Sequence, residues 1–144
     1  MKKILTIAIT LFVGLYGAHA QNLNTVIGEE GNNPNAGEVI TSGNRNVLIG
    51  DSTGVKLTTG IANVFIGYKA GFLTTNAVGN VFIGSEAGES NTTGTNNTFV
   101  GTQAGRLNTG INNVFVGTEA GENNSSGRAN TFIGEEAGPN NTTG

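Results

Sequence analysis

The sequence predicts an all-β fold, a parallel β-solenoid built from coils of about 17 residues, and three observations carry that expectation. One phrase, Asn-Val-Phe-Ile-Gly-x-x-Ala-Gly, restarts at Asn46, Asn63, Asn80, Asn97, Asn113 and Asn130, at intervals of 17, 17, 17, 16 and 17 residues. That spacing is too regular for the loops of a globular domain and too short for a helix-pair repeat. Each restart is followed by three residues that are β-branched or aromatic, with Leu48 the one exception, and these suit a short pleated strand. Glycines then recur at two fixed places in every copy, as corners of a coil require. In such an array every residue stacks on its equivalent in the next coil, so each sequence position becomes a ladder along the axis.

Taken in chain order, residues 1–20 read as a secretory signal peptide. Lys2 and Lys3 precede an apolar run from Ile4 to Tyr16, and the segment closes on the small-x-small triplet Ala18-His19-Ala20, with cleavage expected before Gln21. The apolar run is shorter than the roughly 20 residues that span a bilayer, so membrane insertion by this segment is not expected. Residues 21–45 hold a degenerate coil, Asn24-Thr-Val-Ile-Gly, and a loop signalled by Asn32-Asn33-Pro34-Asn35. Residues 46–144 form the array of six coils. The pattern breaks off at Asn141-Thr142-Thr143-Gly144 in mid-repeat, which reads as a fragment of something longer.

Numbering each coil from its Asn, positions 2 to 4 form the strand. Side chains alternate across a strand, so positions 2 and 4 face one way while Leu48, Phe65, Phe82, Phe99, Phe115 and Phe132 at position 3 face the other. Both faces are apolar, and a strand apolar on both sides must be covered on both. A coil has one interior, so the position 3 row is expected to be an assembly face that a second chain covers. Glycine ends the strand at position 5 and returns at position 9, with a small residue between them, Thr53 in the first coil and Ala70, Ala87, Ala104, Ala120 and Ala137 afterwards. That residue is expected to point inward at a narrow corner.

The Asn at position 1 (Asn46, Asn63, Asn80, Asn97, Asn113, Asn130) is expected to form a structural ladder, its amides hydrogen-bonding along the axis at a spacing of about 4.8 Å. Position 13 is a hydroxyl in all six coils, Thr58, Thr75, Thr92, Thr109, Ser125 and Thr142, in a turn of Gly and Asn. The residue missing from the Asn97 coil falls there, just before Gly110, where a deletion is tolerated. At position 10 Arg106 stacks between Glu89 and Glu122, which relieves repulsion between like charges.

Charge and absences bound the chemistry. Beyond residue 20 the chain has five Lys or Arg against all ten Asp and Glu, a net charge of −5, which gives no electrostatic case for binding nucleic acid. There is no Cys, and the only His, His19, lies in the leader. The exported part therefore has no imidazole base, no thiolate and no soft or borderline metal site. No catalytic, cofactor or metal-binding residue is expected. Paired carboxylates, Glu86 with Glu89 or Glu119 with Glu122, are the one route left to carbohydrate chemistry.

The phrase Asn80-Val-Phe-Ile-Gly with Glu86-Ala87-Gly88, repeated through Asn130-Thr-Phe-Ile-Gly with Glu136-Ala137-Gly138, resembles two groups of surface proteins. One is the head repeat of YadA-like trimeric autotransporter adhesins, a left-handed parallel β-roll that trimerises. The other is the Asn-Thr-Phe-Ile-Gly-Tyr-x-Ala-Gly repeat of bacterial exported and tail-fibre-like proteins, which often precedes an endosialidase-type chaperone domain. The resemblance covers Asn46 to Gly144, with the Asn24 coil as a weaker extension, and implies a left-handed coil, a homotrimer and a place outside the cell or at its surface, with no anchoring implied. The coil here is longer than the usual adhesin-head repeat, and Phe replaces that repeat's small strand residue. The resulting expectation is a non-enzymatic, secreted structural or adhesive solenoid, the head or shaft of a bacterial adhesin or fibre, meeting a host or environmental ligand such as a glycan. A carbohydrate-binding or carbohydrate-active solenoid is the alternative. Ice binding ranks below both, because the Thr residues lie in turns and form no flat Thr-x-Thr face.

Overall fold

The structure, a computed structural model, describes residues 23–28 and 35–143; the leader expected at 1–20 lies outside them. Among the described residues there are seven three-residue strands and no helix: β1 (Thr25–Ile27), β2 (Val47–Ile49), β3 (Val64–Ile66), β4 (Val81–Ile83), β5 (Thr98–Val100), β6 (Val114–Val116) and β7 (Thr131–Ile133). They lie in one parallel sheet in sequence order, each residue opposite its repeat equivalent: Val64 on Val81, Phe65 on Phe82, Ile66 on Ile83. The chain is a β-solenoid.

Hydrogen bonds between coils continue around the circumference. Val64 N–H donates to the Asn80 carbonyl one coil on, and Gly67 N–H to the Ile49 carbonyl one coil back, both at 2.8 Å. Past the strand, Gly71 N–H reaches Ala87 O at 3.0 Å and Thr75 N–H reaches Thr92 O at 2.9 Å. A continuous backbone ladder of this kind can cross-link a chain that has no disulfide, since each bond closes a loop of a coil's length.

β1 begins a seventh coil. Ala36 and Gly37 occupy the Ala-Gly corner, with Gly37 N–H donating to Thr53 O at 3.0 Å as Gly54 N–H does to Ala70 O. Thr41 continues the hydroxyl row by donating its N–H to Thr58 O at 2.9 Å. The 22 residues from Asn24 to Asn46 therefore carry one coil, the surplus over 17 falling in the sequence between Gly28 and Ala36.

The structure overturns the expected facing of the strands. The position 3 row is no assembly face: Leu48, Phe65, Phe82, Phe99 and Phe115 are 0 % exposed in the single chain and form its core with Ala70, Ala87, Ala104 and Ala120. Phe132, in the last described coil, is partly buried against that core. The glycine at position 9 explains the fit. A Cβ on Gly71 would lie 2.6 Å from Phe65 Cε2, so the missing side chain is the space the ring occupies. Successive rings from Phe65 to Phe115 stack at 4.8–4.9 Å with planes within 6° of parallel, matching the spacing that the hydrogen-bonded strands impose. Parallel rings in contact lie about 3.5 Å apart plane to plane, so that centroid spacing makes the stack offset, the favoured arrangement.

With position 3 inward, positions 2 and 4 face out. They form two rows of β-branched residues along the sheet, half-buried or exposed throughout, Ile83 at 37 % and Ile133 at 72 %. The second apolar face exists as the strand pattern requires, and it is the outer one.

Candidate functional site

Three ladders and one surface cluster carry the features from which function can be argued. The first ladder is the Asn row at position 1. Asn46, Asn63, Asn80, Asn97 and Asn113 are buried and Asn130 is half-buried. Each side-chain oxygen accepts the main-chain N–H of the next Asn at 2.9–3.0 Å, from Asn24 through to Asn130. From Asn24 to Asn113 each side-chain nitrogen donates to a glycine or alanine carbonyl at the coil's last corner, as Asn63 does to Ala77 O at 2.9 Å and Asn80 to Gly94 O at 2.8 Å. For Asn97 that partner is Gly110, 13 residues away in place of 14, which puts the deletion in the turn before Gly110. An amide suits the position because it offers an acceptor and two donors without a net charge in the interior.

A second interior row, at position 12, escaped sequence reading because its chemistry changes along the array. It runs Leu57, Thr74, Asn91, Asn108 and Asn124, all buried. Thr74 Oγ1 donates to Asn91 O at 2.7 Å, and Asn124 Nδ2 to Asn108 Oδ1 at 2.9 Å. From Asn91 onward the interior therefore holds two amide columns beside the Phe stack. Their fixed offset of five or six residues from the next position 1 Asn was the available signal.

The third ladder is the hydroxyl row at position 13. Thr58 Oγ1 donates to Thr75 O at 3.2 Å, Thr75 Oγ1 to Thr92 O at 3.1 Å and Thr109 Oγ1 to Ser125 O at 2.7 Å. These hydroxyls spend their protons on carbonyls of the next coil. Other surface rows cross-link coils too. Gln103 Nε2 donates to Glu86 Oε2 at 2.8 Å, and Arg106 Nε and Nη2 both donate to Glu122 Oε1, at 2.9 and 2.7 Å. Glu89 does not share Arg106 as the column order implied, but pairs with Lys69 at 3.7 Å. Of the four carboxylates with catalytic geometry in prospect, Glu86, Glu89 and Glu122 thus hold partners in neighbouring coils. Among the described residues no group of three or more His, Cys, Asp or Glu could hold a metal ion, and no helix is long and apolar enough to cross a membrane.

The surface cluster lies on the β3 coil. Tyr68 is 45 % exposed, and Lys69 Nζ lies 5.4 Å from its ring centroid and 5.6 Å from that of Phe72, within cation–π range of both. Lys69 has φ 53°, the left-handed conformation its column adopts in every coil, from Ser52 to Glu136. No family profile, curated protein or solved structure matches the chain.

Proposed function

We propose that this chain is a non-enzymatic structural and adhesive rod, exported from a bacterium and serving as the head or shaft segment of a surface adhesin or fibre. The observation that carries the reading is the uninterrupted ladder set. Backbone, amide, hydroxyl and carboxylate groups are committed to holding one coil on the next, which builds length and rigidity and leaves the outer rows to meet other surfaces. The leader-like residues 1–20 and the likeness to adhesin-head repeats support export and display.

Self-association into a homotrimer belongs to this proposal, and its support has moved. The Phe row is used up inside the coil, so the face available for a second and third copy is the outer β-branched pair of rows, Val64, Val81 and Val114 beside Ile66, Ile83 and Val116.

The test is to express the full chain in a bacterium, locate it by fractionation and surface labelling, and measure its mass by sedimentation. Export with a mass three times that of the chain is the expected result. A protein retained in the cytoplasm would sink the surface role, and an exported monomer would sink the trimer.

A further inference from the structure

In a stacked array the fold assigns each position an environment, so a residue out of keeping with its column is not required by the coil. The β3 coil holds the clearest case. Beyond the leader every Phe but Phe72 stands at position 3, and Tyr68 is the only Tyr. Next to them in their columns stand Asp51 and Ser85 on either side of Tyr68, and the buried Val55 and Glu89 on either side of Phe72. The two aromatic residues outside the core are thus four positions apart on one turn, braced by one ammonium whose other partner is Glu89.

We propose that Tyr68, Lys69 and Phe72 form a binding ledge for the pyranose rings of a neutral polysaccharide. Tyr68 is exposed and Phe72 half-buried, and the flat, apolar parts of both rings that reach solvent match the C–H face of a sugar ring, with which they exclude water. The ammonium of Lys69 and the carboxylate of Glu89, both half-buried at the rim, supply a donor and an acceptor for ring hydroxyls. Charge favours a neutral ligand: Lys69 is already balanced by Glu89, and an acidic glycan would approach a chain of net charge −5 beyond the leader. Size favours a glycan over a protein. The ledge is part of one coil, with neighbours stacked at 4.8 Å, whereas a stable protein interface needs about 800 Å² from each partner. The ledge gives the adhesive reading a ligand class and rests on that reading only for its biological setting.

The experiment is affinity electrophoresis and calorimetry of the purified full chain with mannan, dextran and xyloglucan as neutral probes and alginate as the acidic one. Tyr68→Ser copies the next coil's residue and Phe72→Gln takes the length of Glu89 without its charge, so both variants should fold, which circular dichroism and the melting curve check. Binding to a neutral probe, weakened at least ten-fold by each substitution with the melting temperature unchanged, is expected. Binding to none of them, binding to alginate alone, or binding untouched by both substitutions overturns the ledge. None of these outcomes bears on export or oligomer mass, so the two proposals fail separately.

Discussion

The side-chain oxygen of Asn63 accepts two hydrogen bonds from Asn80, one from its main-chain N–H at 3.0 Å and one from its Nδ2 at 3.2 Å. Asn80 in turn accepts from the N–H of Asn97 at 2.9 Å and donates to Gly94 O at 2.8 Å. One amide therefore ties three successive coils.

Asn80→Ala is expected to leave the buried Asn97 N–H unpaired and the Gly94 carbonyl nearly so. At about 1–3 kcal/mol for each unsatisfied group, the loss is ~3–5 kcal/mol. Urea unfolding followed by circular dichroism measures it. A loss below about 1 kcal/mol would show that the amide column contributes little beyond filling space.

Phe99→Ala should cost ~3–5 kcal/mol, the usual penalty for emptying a fully buried aromatic site. Phe99→Leu should cost much less, since Leu48 fills the same row in the β2 coil. The deciding comparison sets unfolding against sedimentation. If Phe99→Ala left stability intact and changed only the oligomer mass, the ring would be an interface residue and the packing described above would be wrong.

Backbone strain gives a pair of opposite predictions. Gly88 has φ 58°, and a Cβ there would stand 2.6 Å from Phe82 Cε2, so Gly88→Ala should destabilise by ~2 kcal/mol or more through overpacking. Ala129 has φ 57° at an exposed corner, and Ala129→Gly should stabilise by up to ~1 kcal/mol, the relief of left-handed strain exceeding the added freedom of the unfolded chain. A melting temperature raised by Gly88→Ala would refute the first, and one lowered by Ala129→Gly would refute the second.

Arg106→Glu would place three carboxylates in one column, Glu89 and Glu122 flanking the new one, and remove the contact to Glu122 Oε1. The expected loss is ~1 kcal/mol at low salt, falling toward zero near 1 M salt as the screening length shrinks to about 3 Å. A salt-independent loss would point to packing by the arginine stem instead.

The period, the strands, the glycine corners and the inward Ala were legible because each recurs without conflict between local preference and global fold. The facing of the strand was not. Val64, Phe65 and Ile66 are apolar at all three places, so alternation offers no polar residue to mark the outside. The information was present elsewhere: Gly71 supplies room for only one ring, and that ring is Phe65. The position 12 column stayed hidden because Leu57, Thr74 and Asn91 share no side-chain chemistry, only burial. The left-handed residues at Lys69, Glu86 and Glu119 were equally silent, since none belongs to the types that favour that conformation. The ledge could have been found from sequence by asking which coil departs from the consensus at its outer positions, with Tyr68 and Phe72 as the answer.

The parallel ladder also makes the molecule mechanically anisotropic. The bonds joining coils lie along the axis, so a pull on the two ends of the rod loads every interface alike. A pull that lifts the terminal strand away opens them one at a time, like a zip. Length is equally modular: inserting one more 17-residue copy lengthens the rod by about 4.8 Å and replaces one interface between coils by two of the same kind. Gene duplication can therefore tune how far such a rod reaches without redesigning its core.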